Sequence, residues 1–283
     1  MTPTDIEREF AARQPWVTKF VIEGRAYGGH FDALQDERLT QFWQCFPAAQ
    51  TILELGSLEG GHTIGLAQHA GVRRVVGIEA RPENLARAAL AKKLLAANNV
   101  EFAEANLETT DLASYGKFDA LFCSGLLYHL PEPWTLVQQF PRVSPNLFLW
   151  THYAADATAD TLVNGYRGIW YQEGGMADPL SGVSAKSFWP KLGSLLALLH
   201  ENGYRTVHIL DNQTQHPHGP AVTLAAASTS IRTGSGADTI AFRDVVASVN
   251  AGTGSDILRL DPAFLSAPAA STAMTINLGA PAN

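Results

Sequence analysis

Three things are scarce in this chain. Cysteine occurs twice in 283 residues, as Cys45 and Cys123, each among apolar neighbours (FWQCF and LFCSG). Two such thiols build neither a disulfide framework nor a zinc-ligand spacing, and they fit a reducing compartment. No apolar run approaches the ~18–20 residues that a membrane-spanning helix requires. The start, MTPTDIEREFAARQ, lacks the basic and apolar pattern of a leader peptide. The expectation is a soluble, cytoplasmic chain with no membrane partner. Positive charge is the third scarcity: 20 Lys and Arg against 27 Asp and Glu leave a formal net charge of -7. Binding a nucleic-acid backbone draws on clustered cations, so nucleic acid is not the first expectation for a partner.

What is present is a substantial apolar fraction, 46%, enough for a packed core. Residues 1–45 read as a helical, aromatic-rich segment interrupted by YGGHFD (27–32). From 51 onward, apolar strand runs alternate with helical ones: TILELGS, a helix over about 60–70, RRVVGIEA, a helix from Pro82 to about Asn98, then VEFAEA, FDALFCSG and NLFLWTHY. That alternation predicts an α/β fold with a doubly wound, mainly parallel sheet covered on both faces. SFWPKLGSLLALLHENGY reads as an amphipathic helix stopped by Gly203, and RTVHILDN and AVTLAAAS as two last strands. The divisions expected are a helical segment 1–45, an α/β domain 46–228 and a β-rich tail 229–283.

The stretch ILELGSLEGGHT (52–63) runs from a strand through glycines into a helix. Gly56 permits a tight turn, and Gly60 and Gly61 permit close approach at the helix N-terminus, although Leu58 stands where the pattern E-x-G-x-G-x-G has glycine. A glycine turn alone is weak evidence for a ligand. Glu79 strengthens it, because it ends the next strand and places a carboxylate where two ribose hydroxyls could bind. Asn106 follows the third strand, where its amide could read an adenine edge. Residues 124–129 follow the fourth.

This ordered set (ELGSLEGG, GIE, EANLE, FDALFCSGLLYHL) resembles the class I S-adenosylmethionine-dependent methyltransferases over about residues 50–228. The resemblance implies their seven-stranded sheet and S-adenosylmethionine as cofactor. It places Glu54, Gly56, Ser57 and Gly60 around the amino-acid end and its loop, Glu79 at the ribose and Asn106 beside adenine. Ser124 and Gly125 come near the methionine part. A pyrophosphate-binding reading is disfavoured, since no third fingerprint glycine or basic residue serves it. LLYHLPEP also resembles enzymes of tRNA wobble-uridine carboxymethylation, but the cations that would hold a carboxylated cofactor have no match here.

Methyl transfer requires an aligned nucleophile and, for some acceptors, a base, a role suited to histidine near neutral pH. His129 and His152 follow the fourth and fifth strands and are the candidate bases; His129 reads equally as a residue that packs the loop. Tyr128 and Tyr153 adjoin them. GYRGIWYQE contributes Tyr166, Arg167, Trp170 and Tyr171 as a substrate wall, or as a lid held by its aromatics. His216 and His218 form a pair without acidic partners, read as a solvated loop, so no catalytic metal is expected.

The tail lacks Lys, Glu and Trp. TGSGADTIA (233–241) and AGTGSDILR (251–259) resemble the calcium-binding β-roll repeats of repeats-in-toxin proteins, each without its first glycine. Asp238 and Asp256 would be the oxygen ligands; a docked β-rich cap that binds no calcium is the favoured reading, and self-association through it stays open. The function expected is methyl transfer to an O, N or C nucleophile of a small molecule, in secondary metabolism or glycan modification. The alternatives are an inactive binding or assembly protein with the same fold, and a tRNA-modifying enzyme.

Overall fold

The computed structural model describes residues 1–228 in full and, beyond them, the backbone of four short strands between 239 and 277. The chain begins with α1 (Pro3–Ala11), whose Thr2 and Asp5 form a reciprocal capping box. A hairpin follows, β1 (Lys19–Ile22) and β2 (Arg25–Gly28), and then α2 (Glu37–Cys45). The central alternation comprises β3 (Thr51–Leu55), α3 (Gly61–Ala67), β4 (Arg74–Glu79), α4 (Pro82–Leu94), β5 (Val100–Glu104) and β6 (Ala120–Ser124). Short helices α5 (Pro133–Val137) and α6 (Phe140–Val143) lead to β7 (Asn146–His152). An insertion carries β8 (Thr161–Val163), β9 (Tyr166–Gln172) and β10 (Lys186–Pro190), before α7 (Leu192–Glu201), β11 (Thr206–Gln213) and β12 (Ala221–Ala227).

Seven strands form one sheet in the order β11-β12-β7-β6-β3-β4-β5. The five inner-chain strands β3 to β7 are parallel, and β12 runs antiparallel to β7 and to β11. The sheet alternates its apolar residues to two separate cores. On one face Leu53, Leu55, Leu121 and Cys123 meet the leucines of α7. On the other, Ile52, Phe122 and Phe148 meet Ile64 and the N-terminal aromatics Phe10, Phe20 and Phe42. Phe42, Phe122 and Phe148 are fully buried and mutually stacked or edge-on; burying each such ring contributes ~2–3 kcal/mol. The N-terminal segment is thus joined to the sheet by a shared core.

Two stretches depart from the helical expectation. FVIEGRAY forms a hairpin because Glu23 and Gly24 both take positive φ (49° and 79°), the twist that matches paired strands. SFWP forms strand β10, paired with β9, and the helix begins only after Pro190. The helix after Gly60 is also shorter than expected.

Beyond 228, β13 (Thr239–Phe242) pairs in parallel with β15 (Ile257–Leu260), with Ile240 opposite Leu258. β14 (Ser248–Asn250) pairs in parallel with β16 (Thr275–Asn277). Asp238, Asp256 and the repeat glycines lie outside the described residues.

Candidate active site

The carboxyl ends of β3, β4, β6 and β7 open into one cleft of about 510 Å³. This is where a doubly wound sheet places ligands, and the size suits a nucleoside cofactor with a small acceptor. Gly56, Ser57, Glu79, Asn106, Ser124 and Gly125 all line it. Gly56 turns at φ +79°, and Leu58 follows at φ +48°: the chain takes the left-handed turn of a glycine loop even with leucine in place. Gly60, at φ +78°, lies outside the lining, with a Cβ position only 2.5 Å from the Phe102 ring.

Glu79 is buried, and its two oxygens accept from the backbone N–H groups of Leu58 (2.9 Å) and Arg81 (2.9 Å). Burial pushes its pKa up, against the pull of those two hydrogen bonds. Each oxygen keeps a lone pair for a diol. The Asn106 Oδ1 accepts from the Glu108 N–H at 2.9 Å, which commits the oxygen and leaves the amide nitrogen for a base edge. Glu108 accepts from Ser184 through Oε2 (2.8 Å). Its Oε1 and the Ser57 Oγ are buried on this wall without a protein partner, polar atoms of the type a cofactor would satisfy.

Glu54 is buried beneath the loop and does not line the cleft. Burial pushes its carboxyl up to about 8, against a hydrogen bond from Thr63. Beside it His62 places Nδ1 3.8 Å from Glu54 and Nε2 3.0 Å from Asp36. Burial opposes charge on Asp36, but hydrogen bonds from His62 and Arg38 outweigh it and hold the carboxyl well below the usual range. Asp36 in turn grips Arg38, which donates to Ser124 Oγ at 2.9 Å and lies 4.9 Å from the Trp150 ring centre. Arg38 lines the cleft at the Ser124 end, its Nε and Nη2 on Asp36 and its Nη1 on the cleft side, a fixed positive charge suited to an anion.

A methyltransferase-domain family matches residues 53–146. The N-terminal domain of EvdMO1 with S-adenosylhomocysteine bound is 34% identical, with a TM-score of 0.73, over 81% of this chain and 98% of that domain. The same domain in the presence of S-adenosylhomocysteine and D-fucose is 34% identical over 80% and 97%, with a TM-score of 0.72. This chain belongs to the class I S-adenosylmethionine-dependent methyltransferases. It spans 48% of the length of whole EvdMO1, at 33% identity over 80% of this chain and a TM-score of 0.64. No curated protein matches it. S-adenosylmethionine is the cofactor.

The other end of the methyltransferase cleft holds Tyr128, His129, Trp150 and His218. Burial pushes the Tyr128 phenol up to about 12, so it stays neutral. His129, in a 3-10 turn (Leu127–His129), puts Nδ1 3.1 and 3.0 Å from the two oxygens of Glu173. Glu173 also accepts from Ser181 Oγ, Gly182 N (2.8 Å) and Ser187 Oγ (2.6 Å). Burial opposes its charge, yet these donors hold its pKa down at about 2. A lid, residues 174–185, lies between β9 and β10, and its residues 179–183 line the cleft. Arg81 Nη2 donates to three lid carbonyls, Gly175 (3.1 Å), Asp178 (2.9 Å) and Ser181 (2.9 Å).

The remaining candidates stand outside the cleft lining. His152 is buried behind it, with Nδ1 donating to the carbonyls of Gly219 and Pro220, and its ring stacks on Trp189 at 5.1 Å. Tyr153 is in the core and donates to Asn212. On β9, Tyr166 donates to Glu201 and the Arg167 side chain is exposed. Trp170 takes Lys186 over its ring, and Tyr171 stacks on Trp189. His216 packs against His152, whereas His218 reaches the cleft. The sequence reading missed Arg38, His62, Arg81, Glu108 and Glu173. Arg38 had a local signal, the helix cap D-E-R, and His62 and Glu108 stand inside the GGHT and EANLE motifs; Arg81 and Glu173 meet the lid and His129 through contacts distant in sequence.

Proposed function

We propose that the protein transfers a methyl group from S-adenosylmethionine to a hydroxyl oxygen of a small polyol, a sugar of the hexose class. One observation carries the reading: Gly56, Ser57, Glu79 and Asn106 share a single cleft with His129, whose ring is held from behind by Glu173. S-adenosylmethionine supplies a methyl on a positively charged sulfur, so the protein's task is alignment and proton removal. Glu79 would hold the ribose, the amide nitrogen of Asn106 the base, and Arg38 the amino-acid carboxylate. Tyr128 and Trp150 offer the flat apolar faces on which a sugar ring packs, and His129 would accept the hydroxyl proton. The related domain studied in the presence of D-fucose supports a sugar acceptor. The tail, 229–283, is proposed only as a β-rich appendage.

The test is incubation with methyl-labelled S-adenosylmethionine and a panel of free hexoses and deoxyhexoses, D-fucose among them. Label is expected on a sugar oxygen, with a fall of ~100-fold or more in His129→Ala. Tight S-adenosylhomocysteine binding without transfer to any hydroxyl would overturn the sugar reading and favour a binding protein.

A further inference from the structure

We propose that Glu173 is a positioning residue for His129, and that it holds the ring in its reactive orientation only while residues 181 and 182 of the lid are seated. The proposal rests on the reading that His129 is the base. Its geometry is independent of the acceptor.

The four groups that meet the Glu173 carboxylate, His129 Nδ1, Ser181 Oγ, Gly182 N and Ser187 Oγ, come from three parts of the chain. An ionised carboxylate only accepts. His129 Nδ1 must therefore carry a hydrogen, which leaves Nε2 as the unprotonated nitrogen of the neutral ring. Glu173 is 1% exposed in its side chain, so water does not compete for the bond. Two of its other donors, Ser181 and Gly182, belong to the lid. Lifting them would remove hydrogen bonds from a buried charge, a loss that favours rearrangement of the whole cluster.

Gly182 ties the lid to the histidine a second time. A Cβ built there would stand 2.4 Å from the His129 carbonyl oxygen, so lid backbone and histidine backbone are in close contact. The same lid carries Pro179 to Val183 on the cofactor cleft. Closure over the cofactor and orientation of the base thereby become one event.

In the transfer, the acceptor oxygen forms its bond to the methyl carbon while the carbon–sulfur bond breaks and its electron pair goes to sulfur. The hydroxyl proton passes to His129 Nε2, and the imidazolium so formed is stabilised by the Glu173 carboxylate. The proton then leaves to solvent as the lid opens.

The deciding measurement is nitrogen NMR of the His129 ring in full-length protein saturated with S-adenosylhomocysteine, which requires no acceptor. The wild type is expected to show the Nδ1-protonated tautomer. Glu173→Gln should give mixed tautomers and lower kcat ~10- to 100-fold, with S-adenosylhomocysteine affinity within ~3-fold. Glu173→Asp should recover part of both signals. Gly182→Ala, which leaves the carboxylate intact, should produce the same tautomer mixing by displacing the lid; the melting temperature checks that each variant is folded. An unchanged tautomer in Glu173→Gln sinks the positioning role, and an unchanged tautomer in Gly182→Ala sinks its coupling to the lid. If no sugar accepts the methyl group, the sugar reading fails while the tautomer result still decides this one.

Discussion

At the scale of single residues, the site depends on where charge is kept and where it is refused. Asp36 takes the Nε and Nη2 edge of Arg38, which leaves Nη1 directed at Ser124 and the cleft. Arg38→Met should weaken S-adenosylhomocysteine ~10- to 100-fold, the range expected for a charge-assisted contact. Methylthioadenosine, which lacks the amino-acid end, should bind variant and wild type alike; calorimetry with both ligands separates a carboxylate contact from general damage. Glu54 behaves in the opposite way. Its carboxyl keeps a proton to about 8 in the fold, against ~4.3 when unfolded. The stability tied to its neutral form is complete below the unfolded value and is lost as pH rises through about 8. Relative to Glu54→Gln, which never ionises, the wild type should lose on the order of 3 kcal/mol between pH 5 and 9. Denaturant titrations across that range test it, and a difference that does not vary with pH would show that the fold leaves the Glu54 pKa unraised.

At the scale of elements, strands were the most legible. β3, β4 and β6 are short apolar runs, and the carboxyl end of each is marked by a glycine or a polar residue, so Gly56, Glu79 and Ser124 are legible in order from the sequence. The hairpin at 19–28 was hidden because its turn, Glu23-Gly24, is short and its outer face carries Val21 and Ala26, which breaks the apolar-polar alternation of a half-buried strand. β10 was hidden because SFWP leads without a break into a leucine-rich helix, and only pairing with β9 makes it a strand. Likewise Arg81 reads locally as the residue before a helix-starting proline; its contacts lie more than ninety positions away. Arg81→Ala should free the lid while leaving its own N–H on Glu79. The expected outcome is faster amide exchange over 174–183 and S-adenosylhomocysteine release quickened ~10-fold. Unaltered exchange there would mean that other contacts hold the lid.

At the scale of the whole molecule, the sheet order could be anticipated from the alternation of strands and helices, since right-handed crossovers leave few arrangements. The participation of residues 1–45 in the core could not, because the aromatic run shows no partner until α1, β1 and α2 close over Phe122 and Phe148. The end of the cleft proposed for the acceptor was least legible. His129 follows a strand and was visible, but the carboxylate that meets it, Glu173, stands just after β9 and follows a run of aromatics that is the stronger local signal. Tyr166, Arg167, Trp170 and Tyr171 support the insertion from outside the cleft, while the lid beside them carries the contact.

The two cysteines have a practical consequence. Burial pushes Cys123, in the middle of β6, up to about 12 and Cys45, at the end of α2, up to about 11. Thiol reagents attack the thiolate, so both should be nearly inert to alkylation at neutral pH in the native protein. Mass spectrometry after timed alkylation should therefore show modification of Cys123 advancing only as fast as the sheet opens. Rapid labelling of Cys123 without loss of circular dichroism would contradict its placement. The native sequence carries its own unfolding clock, and a third cysteine introduced on the lid could take a dye without competition from the other two.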